Sequence, residues 1–162
     1  MDLLQNFFNE SVNLSLTSSQ KNAIHSLNDF FKSGDNCFLL KGYAGTGKTT
    51  LLHGITRYLS QINRNFVLMA PTGRAAKVIS DKTRQSAYTI HKSIYSMDNL
   101  KEYQDADEDG SATFKFYFDL RDNIDPINTI YIIDESSMVS NQYSEGEFFR
   151  FGSGYLLQDM MK

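Results

Sequence analysis

The sequence predicts an α/β fold in which a parallel β-sheet is flanked by helices. Three short apolar runs, residues 37–40, 66–70 and 129–133, have the continuous pattern of strands buried on both faces. Segments with apolar residues at helical spacing follow the first two runs, and such alternation is typical of a parallel sheet. The length of 162 residues and the hydrophobic fraction of 41% fit one folded domain.

The first predicted helix covers about residues 18–33. Thr17 and Gln20 have the spacing of a capping box, apolar residues follow at helical spacing, and Gly34 ends the helix. Cys37 begins the first predicted strand. As the single cysteine it cannot form an intrachain disulfide, so we expect it to be a small buried residue in a reducing compartment.

The remaining elements follow in the same way. A helix is expected after residue 49 and another after Gly73, and the third strand at 129–133 runs directly into Asp134 and Glu135. Between residues 98 and 128 an acidic loop precedes a segment in which phenylalanines alternate with polar residues, which predicts a half-exposed strand in a small insertion. The last residues, 154–162, have helical spacing.

The charge distribution excludes a strongly cationic protein, because the net charge is −3. Residues 64–92 nevertheless contain six basic residues and one acid. Such a segment could meet a polyanion, and a solvated helix face is the alternative. No apolar stretch has the roughly 18 to 20 residues of a membrane span and no signal peptide is recognisable, so we expect a cytoplasmic protein.

Residues 42–49 match the complete phosphate-binding pattern Gly-x-x-x-x-Gly-Lys-Thr, between a predicted strand and a predicted helix. The glycines allow backbone N–H groups to turn towards an anion, and the start of the helix adds partial positive charge. In such a loop Lys48 reaches the β- and γ-phosphates, and the Thr49 hydroxyl ligates Mg²⁺. The pattern predicts nucleotide binding.

Two acids at the end of the third strand favour hydrolysis over binding alone. Asp134 can hold the shell of Mg²⁺, and Glu135 can orient and deprotonate a water for attack on the γ-phosphate. Acids at a strand end can also simply cap the next helix. With the phosphate-binding loop upstream, ATP hydrolysis is the better interpretation.

Four segments in this order resemble the first motifs of superfamily 1B DNA helicases, and the RecD-like branch is the most similar. They are residues 42–50, 70–76, 89–91 and 134–139. The resemblance covers about residues 17 to 139. It implies a RecA-like P-loop NTPase domain that uses ATP and Mg²⁺ to move along single-stranded DNA from 5′ to 3′ and to unwind duplex.

The resemblance also implies roles for matching residues. Nucleotide binding would involve Gln20, Gly42, Ala44, Gly45, Thr46, Gly47, Lys48, Thr49 and Thr50. Lys48 and Glu135 would be catalytic, and Thr49 and Asp134 would bind the metal. DNA would be contacted by Thr72, Gly73, Arg74, Thr89 and His91. Gln20, which would bind adenine, is alternatively a polar first-turn residue, and His91 is alternatively structural.

The insertion at 98–128 lies where this branch carries a small domain with a strand-separating hairpin. Phe116, Tyr117 or Phe118 could stack on a base there, or pack the hairpin against the core. The family's second motor domain and its Gly-Asp-x-x-Gln motif do not occur in this sequence. We therefore expect residues 1–162 to be one partial domain, incomplete at the C-terminus, that hydrolyses ATP very slowly.

Two other functions remain open at this point. A module that holds nucleotide or DNA without turnover fits the same motifs, and it would lack ATPase activity with or without DNA. A small-molecule kinase also shares the phosphate-binding loop. The segments 72–74 and 89–91 count against the kinase, because they match the DNA-contacting motifs of the helicases.

Overall fold

The computed structural model describes residues 3–11, 16–106 and 112–162. The chain divides into two compact units, which are described separately. Unit 1 contains residues 1–66 and 82–84, and unit 2 contains residues 67–81 and 85–162. The most acidic part of the predicted loop, residues 107–109, and Gly110 lie outside the described residues.

The described elements are as follows, in chain order. The helices are α1 (Leu3–Ser11), α2 (Ser18–Phe30), α3 (Lys48–Gln61), α4 (Gly73–Thr83), α5 (Ile90–Ile94), a 3₁₀ turn (Ser136–Met138) and α6 (Leu156–Met160). The strands are β1 (Phe66–Ala70), β2 (Ala87–Thr89), β3 (Tyr95–Ala106), β4 (Ala112–Leu120), β5 (Ile130–Ile133) and β6 (Phe149–Phe151). Within the described ranges, no helix combines the length and the apolar composition that a membrane span requires.

Helix α2 begins with the capping box that the sequence predicts. The Thr17 side chain accepts a hydrogen bond from the Gln20 N–H, and the Gln20 side chain accepts one from the Thr17 N–H at 3.0 Å. The helix ends at Phe30, three residues earlier than expected, and residues 31–34 form turns and bends.

The core of unit 1 lies between helices α1, α2 and α3. Helix α3 buries five apolar side chains at the predicted spacing: Leu51, Leu52, Ile55, Tyr58 and Leu59. Helix α1, which the sequence analysis did not predict, adds the fully buried Leu4 and Phe8. Gly54 allows this packing, because a Cβ atom there would collide with the Phe8 ring.

The prediction of a buried strand at residues 37–40 is wrong. These residues have irregular backbone, and Cys37 and Leu39 are exposed. Phe38 packs against Phe30 of α2, with ring centroids 5.5 Å apart. A strand needs a neighbour to receive its backbone hydrogen bonds, and an apolar run does not reveal whether that neighbour is present. Cys37 is therefore an exposed thiol and not a core residue.

Unit 2 contains a sheet with the strand order β2-β1-β5. Strands β1 and β2 are parallel, and Ala70 is opposite Thr89 at their carboxyl ends. On the other side of β1, the Asp134 N–H that follows β5 donates to the Met69 carbonyl at 3.0 Å. The mixed α/β architecture with parallel strands fits a P-loop NTPase-like domain, as the sequence predicts.

A second sheet in unit 2 has the order β3-β4-β6. Strands β3 and β4 are antiparallel, and β6 joins β4 in parallel with Phe118 opposite Phe151. The alternating pattern of residues 114–120 correctly predicted β4, whereas β6 was not predicted. The ring planes of Phe118 and Phe151 lie 9° apart with centroids at 4.8 Å. The rings of β4 thus pack within this sheet.

Candidate functional site

The predicted phosphate-binding loop leads directly into α3. Its glycines Gly45 and Gly47 have φ angles of 78° and 86°, in the left-handed region that other residues adopt only at a cost. Gly47 is the N-cap residue of α3 and Lys48 is the first residue of the helix. The unpaired N–H groups of the first helical turn therefore follow the loop, as an anion-binding site requires.

Lys48 folds back onto its own loop. Its ammonium group donates to the Gly42 carbonyl at 2.6 Å and to the Tyr43 carbonyl at 3.0 Å. The Thr46 hydroxyl also donates to the Tyr43 carbonyl, at 2.8 Å. These bonds place the Lys48 ammonium group against a loop whose residues are largely exposed. The residues present therefore fit a phosphate group.

Gln20 connects the start of α2 to this loop. Its side-chain N–H donates to the Thr46 carbonyl at 3.2 Å, while its side-chain oxygen remains in the capping box with Thr17. The Gln20 side-chain oxygen therefore caps helix α2, and its side-chain nitrogen contacts the predicted nucleotide site. The sequence pattern predicted the capping bond but not the bond to Thr46.

The other nucleotide-site residues of unit 1 lie in the same loop and helix. Gly42, Ala44 and Thr50 are exposed, and Thr49 is half-buried in the first turn of α3. A Cβ atom on Gly42 would lie 2.8 Å from the Thr46 hydroxyl oxygen. A side chain at position 42 would therefore displace the Thr46 hydroxyl from its place in the loop.

In unit 2, Asp134 and Glu135 follow β5 as predicted. Asp134 is half-buried, and its Oδ1 accepts a hydrogen bond from the Glu135 N–H at 3.0 Å. Glu135 is exposed and has a φ angle of 53°. A non-glycine residue in this left-handed region is strained, and such residues are concentrated at functional sites. Within the described residues, no group of three His, Cys, Asp or Glu side chains could hold a metal.

Thr72 and Thr89 both cap helices. The Thr72 hydroxyl accepts from the Ala75 N–H, and the Thr89 hydroxyl accepts from the Lys92 N–H, each at 3.2 Å. Because β1 and β2 are parallel with their ends in register, the two segments leave the same edge of the sheet. The structure thus brings together residues 72–74 and 89–91, which the sequence predicts to contact DNA.

His91 lies in an aromatic cluster. Its ring packs edge-on against Phe151 at 4.9 Å and against Tyr95 at 5.6 Å. The imidazole is half-buried, and this burial lowers its pKa below the ordinary value of 6.5. These contacts order the His91 ring within the cluster, and the half-buried ring keeps part of its surface exposed to solvent.

The basic residues near these segments differ in their partners. Lys77 forms an ion pair with Asp81 at 2.7 Å, and the Lys92 ammonium lies 5.4 Å from the centre of the Tyr88 ring. Arg74 is exposed at the first turn of α4. Of the predicted DNA contacts in unit 2, Arg74 is the strongest source of positive charge.

The fold and the loop define a P-loop NTPase-like domain. A family profile described as an AAA domain matches residues 15–146, and the chain belongs to this family. The chain is 39% identical over 77 residues to the ATP-dependent DNA helicase dda of Enterobacteria phage T4, a match that covers 47% of this chain and 18% of that protein. It is 35% identical over 113 residues to the uncharacterized protein MJ1519 of Methanocaldococcus jannaschii, covering 62% of this chain and 8% of that protein.

The chain spans less than a fifth of the length of each of these relatives. The similarities nevertheless define a helicase-like P-loop domain of the superfamily 1 type. Domains of this type bind nucleotide and generally use ATP with Mg²⁺.

Proposed function

We propose that this chain is the ATP-binding and ATP-hydrolysing core of a 5′–3′ DNA helicase of the RecD-like branch. Residues 1–162 form part of one RecA-like motor domain with an inserted hairpin at 98–128, and a second motor domain completes the helicase. The observation that carries the proposal is the phosphate-binding loop, with its left-handed glycines and with Lys48 at the start of α3. The similarity to the helicase dda supports it.

Nucleotide binding is assigned to Gln20 and residues 42–50. The loop N–H groups and Lys48 bind the phosphates, so Lys48 exchanges the Gly42 and Tyr43 carbonyls for phosphate oxygens. Thr49 and Asp134 are the residues that would hold Mg²⁺, and the ion would supply positive charge to the phosphate oxygens. Gln20 donates to adenine with the side-chain N–H group that contacts the Thr46 carbonyl in the structure.

Glu135 is the catalytic base in this proposal. Its carboxylate orients a water for in-line attack and accepts the water's proton as the water oxygen bonds to the γ-phosphorus. The bond from the γ-phosphorus to the β,γ-bridging oxygen breaks in the same step, and ADP leaves with that oxygen. The left-handed backbone of Glu135 at the start of the 3₁₀ turn supports this role, because such conformations are concentrated at functional sites. Lys48 stabilises the negative charge on the phosphate oxygens during the same step.

Single-stranded DNA is assigned to the edge of the sheet where β1 and β2 end. The backbone of Thr72 and Gly73, the Arg74 side chain, and Thr89 with His91 contact the DNA there. The shared edge and the exposed Arg74 support this assignment. Phosphate contacts dominate such binding and make it sensitive to salt.

Calorimetry with Mg²⁺-ATP tests the nucleotide assignment. Lys48→Ala should lose measurable binding, whereas Lys32→Ala, an exposed lysine beyond α2, should bind like the wild type. Equal affinities of wild type and Lys48→Ala would refute the assignment. A different result would instead support a binding module. In that case the chain binds nucleotide but shows no ATPase activity, with or without single-stranded DNA, and a longer chain that contains any second motor domain shows none either.

Fluorescence anisotropy with a labelled oligonucleotide tests the DNA surface. Arg74→Ala should weaken binding and flatten its salt dependence by about 0.7 in the logarithmic slope if it contacts one phosphate. Lys77→Ala is the matched control, because Asp81 already neutralises Lys77. An unchanged affinity for Arg74→Ala would contradict this surface.

A further inference from the structure

A buried carboxylate links helix α6 to the start of β3. Asp159 is 3% exposed, and its Oδ2 accepts hydrogen bonds from the Tyr95 hydroxyl at 2.9 Å and from the Ser153 N–H at 2.8 Å. Its other oxygen, Oδ1, accepts from Lys162 at 3.2 Å. Burying a carboxylate is costly unless its oxygens are hydrogen-bonded, and both oxygens of Asp159 are.

The absence of a side chain at Gly152 leaves room for the hydrogen-bonded pair of Asp159 and Tyr95. Gly152 has a φ angle of 47°, and a Cβ atom there would collide with Asp159 Oδ2 and lie 2.7 Å from Tyr95 Cε1. The Gly152 N–H donates to the Phe118 carbonyl at 2.9 Å, so β4 holds this glycine in place. A side chain at position 152 would displace Asp159 or Tyr95.

Tyr95 connects this hydrogen-bonded pair to His91, because the Tyr95 ring contacts the His91 ring. Its side chain is 2% exposed, and its ring lies 5.6 Å from the His91 ring and 5.3 Å from the Phe151 ring. His91 also packs edge-on against Phe151. The three rings touch one another pairwise, so fixing Tyr95 by its hydroxyl restricts where the imidazole can lie.

We propose that Asp159 and Tyr95 are positioning residues that hold the His91 imidazole for contact with single-stranded DNA. The proposal rests on the proposed function, since it takes His91 as a DNA contact. The new element is that the contact of His91 with DNA depends on the carboxylate of Asp159, 68 positions further along the chain. The pair itself touches no DNA.

The test compares two variants with a matched control. Tyr95→Phe removes the hydroxyl but keeps the ring, and Asp159→Asn keeps the shape but removes the charge. Asp125→Asn is the control, because Asp125 accepts from the Tyr131 hydroxyl at 2.8 Å on the surface of the same unit. Circular dichroism establishes that each variant is folded, and nuclear magnetic resonance follows the His91 ring protons as the pH is changed.

In the proposal, Tyr95→Phe releases the imidazole because the hydrogen bond to Asp159 is lost, whereas Asp159→Asn keeps an oxygen that can accept this bond and should have a smaller effect. In Tyr95→Phe the midpoint of the His91 titration should rise towards 6.5, and DNA affinity should fall by at least half the fold-loss of His91→Ala. For His91→Ala we expect about 5-fold or more, the lower end of what one stacked aromatic ring contributes. Asp125→Asn should change neither quantity.

The outcomes separate this proposal from the proposed function. If Tyr95→Phe is folded and leaves the His91 titration and the DNA affinity unchanged while His91→Ala weakens binding, the positioning role is wrong and the DNA contact stands. If His91→Ala itself leaves DNA binding unchanged, the contact is wrong, and the positioning proposal falls with it. A lower melting temperature without a shift of the His91 resonances would mean that the pair only stabilises the fold, and would also overturn the proposal.

Discussion

The contact between Gln20 and the phosphate-binding loop allows a sharp test of the loop geometry by substitution of its glycines. Gly45 and Gly47 both have positive φ angles, so alanine at either position incurs a strain of about 1–2 kcal/mol. Their surroundings differ. A Cβ atom on Gly47 would lie 2.5 Å from the Gln20 amide nitrogen, whereas one on Gly45 meets nothing within 4 Å.

The difference has a calculable consequence. In Gly47→Ala the Gln20 amide must swing away, and the Thr46 carbonyl loses its donor, which adds about 0.5–1.5 kcal/mol. We therefore expect Gly47→Ala to cost about 1.5–3.5 kcal/mol in total. In a Gln20→Ala background this bond is already lost, and the cost should fall to the strain of about 1–2 kcal/mol. Gly45→Ala should cost the same in both backgrounds.

Urea unfolding monitored by circular dichroism measures the cycle. With a slope of about 2 kcal/mol per molar urea, a coupling of about 1 kcal/mol corresponds to about 0.5 M in the midpoint. Gly45→Ala with and without Gln20→Ala is the control cycle, in which the coupling should be zero. Equal costs of Gly47→Ala in both backgrounds would show that Gln20 does not contact the loop in solution.

Four further predictions follow from individual residues. Glu135→Gly should raise the free energy of unfolding by roughly 0.5–1 kcal/mol, because relief of about 1–2 kcal/mol of left-handed strain is partly offset by the greater backbone entropy of glycine in the unfolded state. Glu135→Gln should not change the stability, and in the proposed function both variants lose ATPase activity. A Glu135→Gly chain no more stable than the wild type would contradict the strain. Stability should decline as the pH falls below 6.5, because the lowered pKa of His91 makes the folded state bind fewer protons than the unfolded state. Stability should also decline above pH 10, because burial raises the pKa of Tyr95 and only the unfolded state readily loses that proton. Urea midpoints that stay constant below pH 6.5 and above pH 10 would count against the pKa shifts of His91 and Tyr95. Gly54→Ala should destabilise the chain despite the better helix propensity of alanine, because the new methyl group displaces the Phe8 ring, and a higher melting temperature would mean that α1 does not pack there.

Local patterns predicted the elements whose signals are complete within a few residues. The capping box of Thr17 and Gln20, the loop at 42–49 and the strand at 66–70 all depend on neighbouring residues, and the structure has each of them. The run at 37–40 failed because a strand also needs a partner, and four apolar residues carry no information about one. Helix α1 and strand β6 were missed for a related reason. They are short, and their side chains are ordered by packing against residues far along the chain.

The candidate site shows the same division. The sequence by itself determined which residues form the phosphate-binding loop, and that an acid pair ends a strand, because these patterns are set by the geometry of adjacent residues. Only the tertiary structure decided that Lys48 binds its own loop carbonyls, that Gln20 reaches Thr46, and that His91 packs against Phe151. Those contacts join residues up to 60 positions apart. They depend on how the chain packs, because spacing along a sequence determines which face of an element a residue occupies but not what that face meets.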